Sequence, residues 1–259
     1  MGKTTLLTSL AALAALYCPN RRPVVIADFS EFPKAPTMLG FRLVEALIGS
    51  EELFPTAMTW PDTVEQKEAL ESLTLRHNII QNLHILPGSV VAGEKPDCEK
   101  LAGIIKVLQR NFELVFIDLP KDPDTVIPLC DAILVVLTAN YLSLEGMFQL
   151  MPVLERLSVQ DRIIPVLNRV SSNALDPEQS RRLLRKFMIE VEFEGFIPEV
   201  PRLHLGIEKD RQPYMLSKAD SQFTTEVRQL LSVLCPDWGF GKKQDSGGVA
   251  SLLKRFIGS

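Results

Sequence analysis

Six short runs rich in Val, Ile and Leu, apolar without the every-second-residue alternation of a half-wet strand, constrain this chain more than any other feature. They fall at residues 24–29, 83–87, 114–119, 132–138, 163–168 and 195–197. A strand with no polar face is buried on both sides, which is what happens when helices cover a parallel sheet from above and below. Stretches of helical period lie between the runs, at 4–17, 38–48, 63–74, 99–110, 144–157, 178–191 and 221–234. The order predicts an α/β fold with a mostly parallel sheet and helices on both faces. Residues 51–62, with Pro55 and Pro61 around Trp60, read as a loop or insertion.

At 259 residues, 46% of them hydrophobic, the chain can bury one large core. It reads as a domain over 1–238, a flexible Gly, Lys, Asp and Ser linker over 239–248, and a short tail over 249–259. The apolar runs at 132–139 and 163–167 fall far short of the roughly 20 residues a membrane span requires, so the chain reads as soluble. The apolar run at 6–16 has only Lys3 as a basic leader and meets Pro19 and the Arg21, Arg22 pair, so it reads as a buried helix and not a signal peptide. Cys18, Cys98, Cys130 and Cys235 are far apart and share no ligand spacing with His77, His84 or His204; reduced core cysteines are expected.

A net charge of −4 argues against a protein whose main business is coating nucleic acid. One basic helix face remains a candidate: Arg181, Arg182, Arg185 and Lys186 follow Asp176 as helix cap, Pro177 at the first position and Gln179 closing a capping box.

Gly2-Lys3-Thr4-Thr5 ahead of a long apolar helix is the second half of the phosphate-loop pattern G-x-x-x-x-G-K-[ST]. Backbone N–H groups and the helix dipole at that end favour phosphate oxygens. Lys3 would neutralise the β and γ phosphates, Thr4 would place its hydroxyl on Mg²⁺ and Thr5 would reach the α phosphate. The strand at 114–119 delivers Asp118, a carboxylate able to hold the Mg²⁺ water shell.

With these motifs in order, the chain resembles the MinD/ParA group of deviant-Walker ATPases over nearly its whole length. The likeness runs through Val24 to Asp28, Asn82 to Gly88, Cys130 to Val136 with Ser143 and Leu144, Pro165 to Arg169, and Gly195 to Pro198. Asp118, Leu119, Pro120 and Lys121 and the short tail look most like the CpaE/TadZ pilus-assembly branch. The resemblance implies ATP and Mg²⁺ as cofactors, with Lys3 and Asp28 catalytic and Thr4 and Asp118 at the metal. Gly2, Lys3, Thr4 and Thr5 would hold phosphate, while Asn168, Arg169 and the backbone near Pro198 would enclose the base. It further implies an ATP-dependent homodimer, slow hydrolysis and a positional switch at the inner face of the cell membrane, serving a pilus or secretion assembly. A catalytically dead scaffold and a partition protein holding nonspecific DNA are the alternatives.

Two departures from the family pattern stand out. The chain opens inside its phosphate loop, so the first strand and the signature lysine of the group are expected to be missing, as in a truncated protein. The second strand ends Asp28-Phe29-Ser30, placing Ser30 where the group carries a second acid, and a hydroxyl cannot position water as a carboxylate does. Weak hydrolysis is expected. In the tail, Val249, Leu252, Leu253, Phe256 and Ile257 share one helical face with Lys254 and Arg255 beside it, a pattern suited to the membrane interface or to a protein groove.

Overall fold

The computed structural model describes residues 2–41, 54–61, 70, 72–91, 94, 96–120, 123–203, 207 and 212–238. The helices expected at 38–48 and 63–74 lie mostly outside these residues, and the linker, the tail, Lys121 and His204 lie wholly outside them.

The helices are α1 (Lys3–Tyr17), α2 (Ala35–Met38), α3 (Cys98–Asn111), α4 (Tyr141–Arg156), α5 (Pro177–Lys186), α6 (Tyr214–Ser217) and α7 (Gln222–Leu234). The strands are β1 (Val24–Asp28), β2 (Leu75–Arg76), β3 (Leu83–Pro87), β4 (Leu114–Asp118), β5 (Ile133–Thr138), β6 (Ile163–Val170) and β7 (Gly195–Pro198). β1 lies in parallel between β3 and β4, with Asp28 opposite Asp118 at the carboxyl end of the ladder. β2 pairs antiparallel on the outer edge of β3, and β5, β6 and β7 form a parallel set in that order.

A mostly parallel sheet lacking its first strand, and so lacking ladder bonds on two of its neighbours, was the expectation. Among the described residues there are two, a four-stranded β2-β3-β1-β4 and a three-stranded β5-β6-β7, because no ladder joins β4 to β5. Where a strand has partners on both sides its residues vanish from solvent, as in β1 and β3; β4 keeps Leu114 through Ile117 half-exposed despite equally apolar side chains.

α1 lies against β1, β4 and α7. From Leu10 to Leu16 every residue is buried, so the helix has no wet face, as its apolar sequence predicts. The apolar body around it draws Val24, Ile26, Leu83 and Ile85 from one sheet, Val166 and Ile197 from the other, and Phe223, Val227, Leu230 and Leu231 from α7. Two further bodies are local, one between the first sheet and α3, the other between the second sheet, α4 and α5.

Helix starts follow the caps. Asp97, Asn140, Asp176 and Ser221 each accept a bond from the N–H three residues on, and Gln179 closes the capping box at Asp176. Asn140 therefore begins α4 at Tyr141, earlier than the apolar period starts. α5 stops at Lys186 and not at 191, because Met188 takes a left-handed φ of 59° and its N–H and that of Ile189 turn back to Arg185 and Leu184. All four cysteines are free; Cys18 and Cys235 are buried as expected, whereas Cys98 is exposed at the start of α3.

Candidate functional site

The carboxyl ends of β1 and β4 and the amino end of α1 meet at one point. Thr4 Oγ1 donates to Asp118 Oδ2 at 2.5 Å, across 114 residues of sequence. Gly2 caps α1 with a left-handed φ of 93°, no side chain caps the helix, and no acidic residue stands in its first turn. That leaves the positive end of the helix dipole uncompensated beside a hydroxyl–carboxylate pair. Lys3 is exposed next to it and, with Thr4, Ser30, Lys34 and Asp118, lines a cavity of about 1030 Å³. Thr5 sits one step into the helix, where its carbonyl accepts from Thr8 Oγ1 and Ser9 Oγ.

Asp28 is fully buried beside Asp118. Its carboxylate accepts from Ser30 Oγ at 2.5 Å, Ser30 N–H at 3.2 Å and Ala35 N–H at 2.8 Å. Burial pushes the Asp28 carboxyl above its usual range and Asp118 adds to this; the Ser30 and Ala35 bonds pull it back. Ser30, read from sequence as a lost acid, is thus a hydrogen-bond donor that fixes Asp28. Gly88, quoted above only as the end of a strand motif, has a role no sequence signal gave: its N–H donates to the Asp28 carbonyl at 2.6 Å, and a Cβ there would stand 3.0 Å from that oxygen. Any side chain would push the end of β1 away from β3.

The residues expected to enclose the base lie on the second sheet. Asn168 is buried near the end of β6, opposite Thr138 and Ile197. A Cβ on Gly2 would lie 2.4 Å from Asn168 Nδ2, so the end of β6 packs closely against the start of α1. Arg169 is the bulge residue of β6, exposed at φ 59°, and Pro198 closes β7 opposite Val170. The fold gathers Gly2, Lys3, Thr4, Asp118 and Asp28 around one point and ties Asn168 to it through Gly2. Arg169 and Pro198 stand behind Asn168 at the strand ends.

Among the described residues no cluster of His, Cys, Asp and Glu could hold a metal on its own. The donor set present, one hydroxyl and one carboxylate at an uncapped helix end, suits Mg²⁺, which keeps waters and takes its remaining ligands from phosphate.

No family profile and no curated relative matches the sequence. Solved structures do. A ParA family ATPase from Chlorobium tepidum superposes at a TM-score of 0.72, with 16% identity over 90% of this chain and 92% of that one. MinD from Pyrococcus horikoshii, solved with Mg-ADP, superposes at 0.68, with 20% identity over 94% and 96%. The MinC:MinD cell division complex of Aquifex aeolicus gives 0.70, with 17% identity over 91% of each chain. The chain has the α/β fold of the MinD and ParA P-loop ATPases.

Proposed function

We propose that this protein is an ATP- and Mg²⁺-binding switch of the MinD/ParA kind with weak hydrolysis. The observation that carries the reading is the Thr4–Asp118 bond at the uncapped amino end of α1. In this assignment Thr4 and Asp118 face the metal, Lys3 and the N–H groups of Gly2 to Thr5 face phosphate, and Asn168, Arg169 and Pro198 face the base. Bound Mg²⁺ would supply charge neutralisation at the terminal phosphates. Asp28 would hold the geometry behind Asp118. The Mg-ADP in the Pyrococcus horikoshii neighbour supports the same ligand class here.

Slow turnover rests on Ser30. Its hydroxyl donates to Asp28, and it stands two residues after Asp28, where the group carries its second acid; the next carboxylate, Glu31, comes one position later. The same observation favours the second reading, a scaffold that keeps the fold without productive hydrolysis. Both place the protein at a membrane-associated pilus or secretion assembly of the CpaE/TadZ type, as a dimer that doubles the contact of tail 249–259 with lipid. The DNA-partition reading is weaker, because Glu178 and Glu192 engage Arg181 and Glu178 engages Arg182 on α5.

Titration with a fluorescent ATP analogue plus Mg²⁺ tests the site. Thr4→Ala and Asp118→Asn are each expected to weaken Mg²⁺-dependent binding roughly tenfold or more, since each removes one charge-assisted or metal-facing contact. Equal affinity in wild type and both variants would overturn the assignment. A wild type that binds but does not turn over ATP selects the scaffold reading.

A further inference from the structure

The turn between β1 and α2 is held at both ends by one buried carboxylate. Asp28 Oδ1 accepts from the N–H and the hydroxyl of Ser30, and Asp28 Oδ2 accepts from the Ala35 N–H, so residues 31–34 form a short arch with both feet fixed. Lys34 precedes Ala35 directly, which sets its backbone one peptide bond from the Asp28 carboxylate, and Asp28 lies in register with Asp118. Lys34 is exposed and, like Lys3, lines the cavity that holds Thr4 and Asp118. Neither ammonium is paired with an acid among the described residues, whereas Glu31 in the same arch has a partner of its own.

The residues at this mouth follow one another across the fold. Asn168 of β6 packs against Gly2, Thr4 of the first turn of α1 bonds Asp118 of β4, Asp118 stands beside Asp28 of β1, and Asp28 anchors Ala35. A nucleotide with its base towards Asn168 and its metal between Thr4 and Asp118 therefore extends its last phosphate towards β1, the side on which Lys34 stands. A metal that bridges the two outer phosphates, together with Lys3, leaves part of the triphosphate charge unneutralised, and the Asp118 carboxylate adds to it. An ammonium on a flexible four-carbon stem is a compact charge suited to a terminal phosphate, and the bond it donates there is charge-assisted.

We propose that Lys34 is a second phosphate-binding cation, carried by the arch after β1 and directed at the terminal phosphate of ATP. The inference rests on the nucleotide assignment given under Proposed function and deepens it: the arch distinguishes a triphosphate from a diphosphate. Ser30 then has a positioning part in this contact, since its two bonds to Asp28 fix one foot of the arch and the Ala35 bond fixes the other.

The experiment titrates fluorescent ATP and ADP analogues, each with Mg²⁺, into the wild type and into Lys34→Gln, Lys34→Arg, Thr4→Ala and Asp118→Asn variants. Lys34→Gln is expected to weaken ATP binding roughly tenfold, the size of one charge-assisted contact, with ADP binding nearly unchanged. Lys34→Arg keeps the charge and should restore most of the ATP affinity. An unfolding midpoint equal to that of the wild type shows that Lys34→Gln is folded, a position on an exposed turn being tolerant of the change. Equal ATP affinity in the wild type and Lys34→Gln, while Thr4→Ala and Asp118→Asn lose binding, overturns Lys34 and leaves the nucleotide site standing. An equal loss for ATP and ADP overturns the assignment to the terminal phosphate. A wild type that binds neither nucleotide overturns the site itself, and Lys34 with it.

Discussion

At the residue scale, Gly2 is where one atom matters most. A left-handed φ of 93° and a Cβ position 2.4 Å from Asn168 Nδ2 exclude a side chain on two separate grounds. Gly2→Ala is expected to destabilise the fold by about 1–2 kcal/mol from the backbone alone, with a further loss from the collision. Adding Asn168→Ala should remove only the collision, so urea midpoints of the two single variants and the double variant should be non-additive. Strict additivity would disprove the contact.

His77 is a second such point, in the loop after β2. It is fully buried, its Nδ1 accepts from the N–H groups of Ile79 and Ile80, and its Nε2–H donates to the Leu39 carbonyl. Burial lowers its pKa from 6.5 to about 4, against a smaller opposing pull from Leu39. The folded state therefore resists a proton that the unfolded chain accepts. Stability is complete above the unfolded value, falls as pH drops from 6.5 towards 4, and levels below that. The total loss is on the order of 3–4 kcal/mol, at about 1.36 kcal/mol per unit. His77→Asn, whose carbonyl can still accept from Ile79 and Ile80, should flatten this part of the profile measured by denaturant unfolding; an unchanged slope would assign it to other groups.

At the element scale, six strands were legible because each is a run of apolar residues ended by a polar or turn residue, and their observed and expected limits differ by at most two positions at each end; the two-residue edge strand β2, Leu75–Arg76, carries no such run and was missed. Caps were less so. Asp176 with Pro177 and Gln179 is a complete local signal, whereas Asn140 is one polar residue before an ordinary helix, and the period alone begins α4 too late. The end of α5 illustrates the reverse. Met188 occupies the left-handed position of a helix stop, where glycine is usual, and is 90% exposed. Nothing in the sequence marks that stop. Met188→Gly loses almost no packing and relieves the backbone, so it should raise stability by about 1 kcal/mol, read as an upward shift of the thermal midpoint; a drop would mean that the side chain is bound elsewhere.

For the whole molecule, the sequence foretold an α/β fold and the gathering of Lys3, Thr4 and Asp118, since the order of motifs fixes which strand ends lie together. It could not foretell that Ser30 would clamp Asp28 or that Gly88 would brace it, because those bonds depend on how β1 and β3 stagger and on the path of the turn after Asp28. The tail belongs to this scale also, since its proposed effect depends on two copies acting together. Co-sedimentation with anionic vesicles in the presence of ATP should pellet the full chain several-fold more than a chain lacking residues 242–259; equal pelleting would remove the tail as an anchor.

The apolar body around α1 takes side chains from both sheets, while the backbone ladders stop at β4 and β5. The halves thus adhere through oil-like contact around one rod and not through a stitched seam. The amino end of that rod therefore serves both halves at once, with Gly2 packed against Asn168 of one and Thr4 bonded to Asp118 of the other.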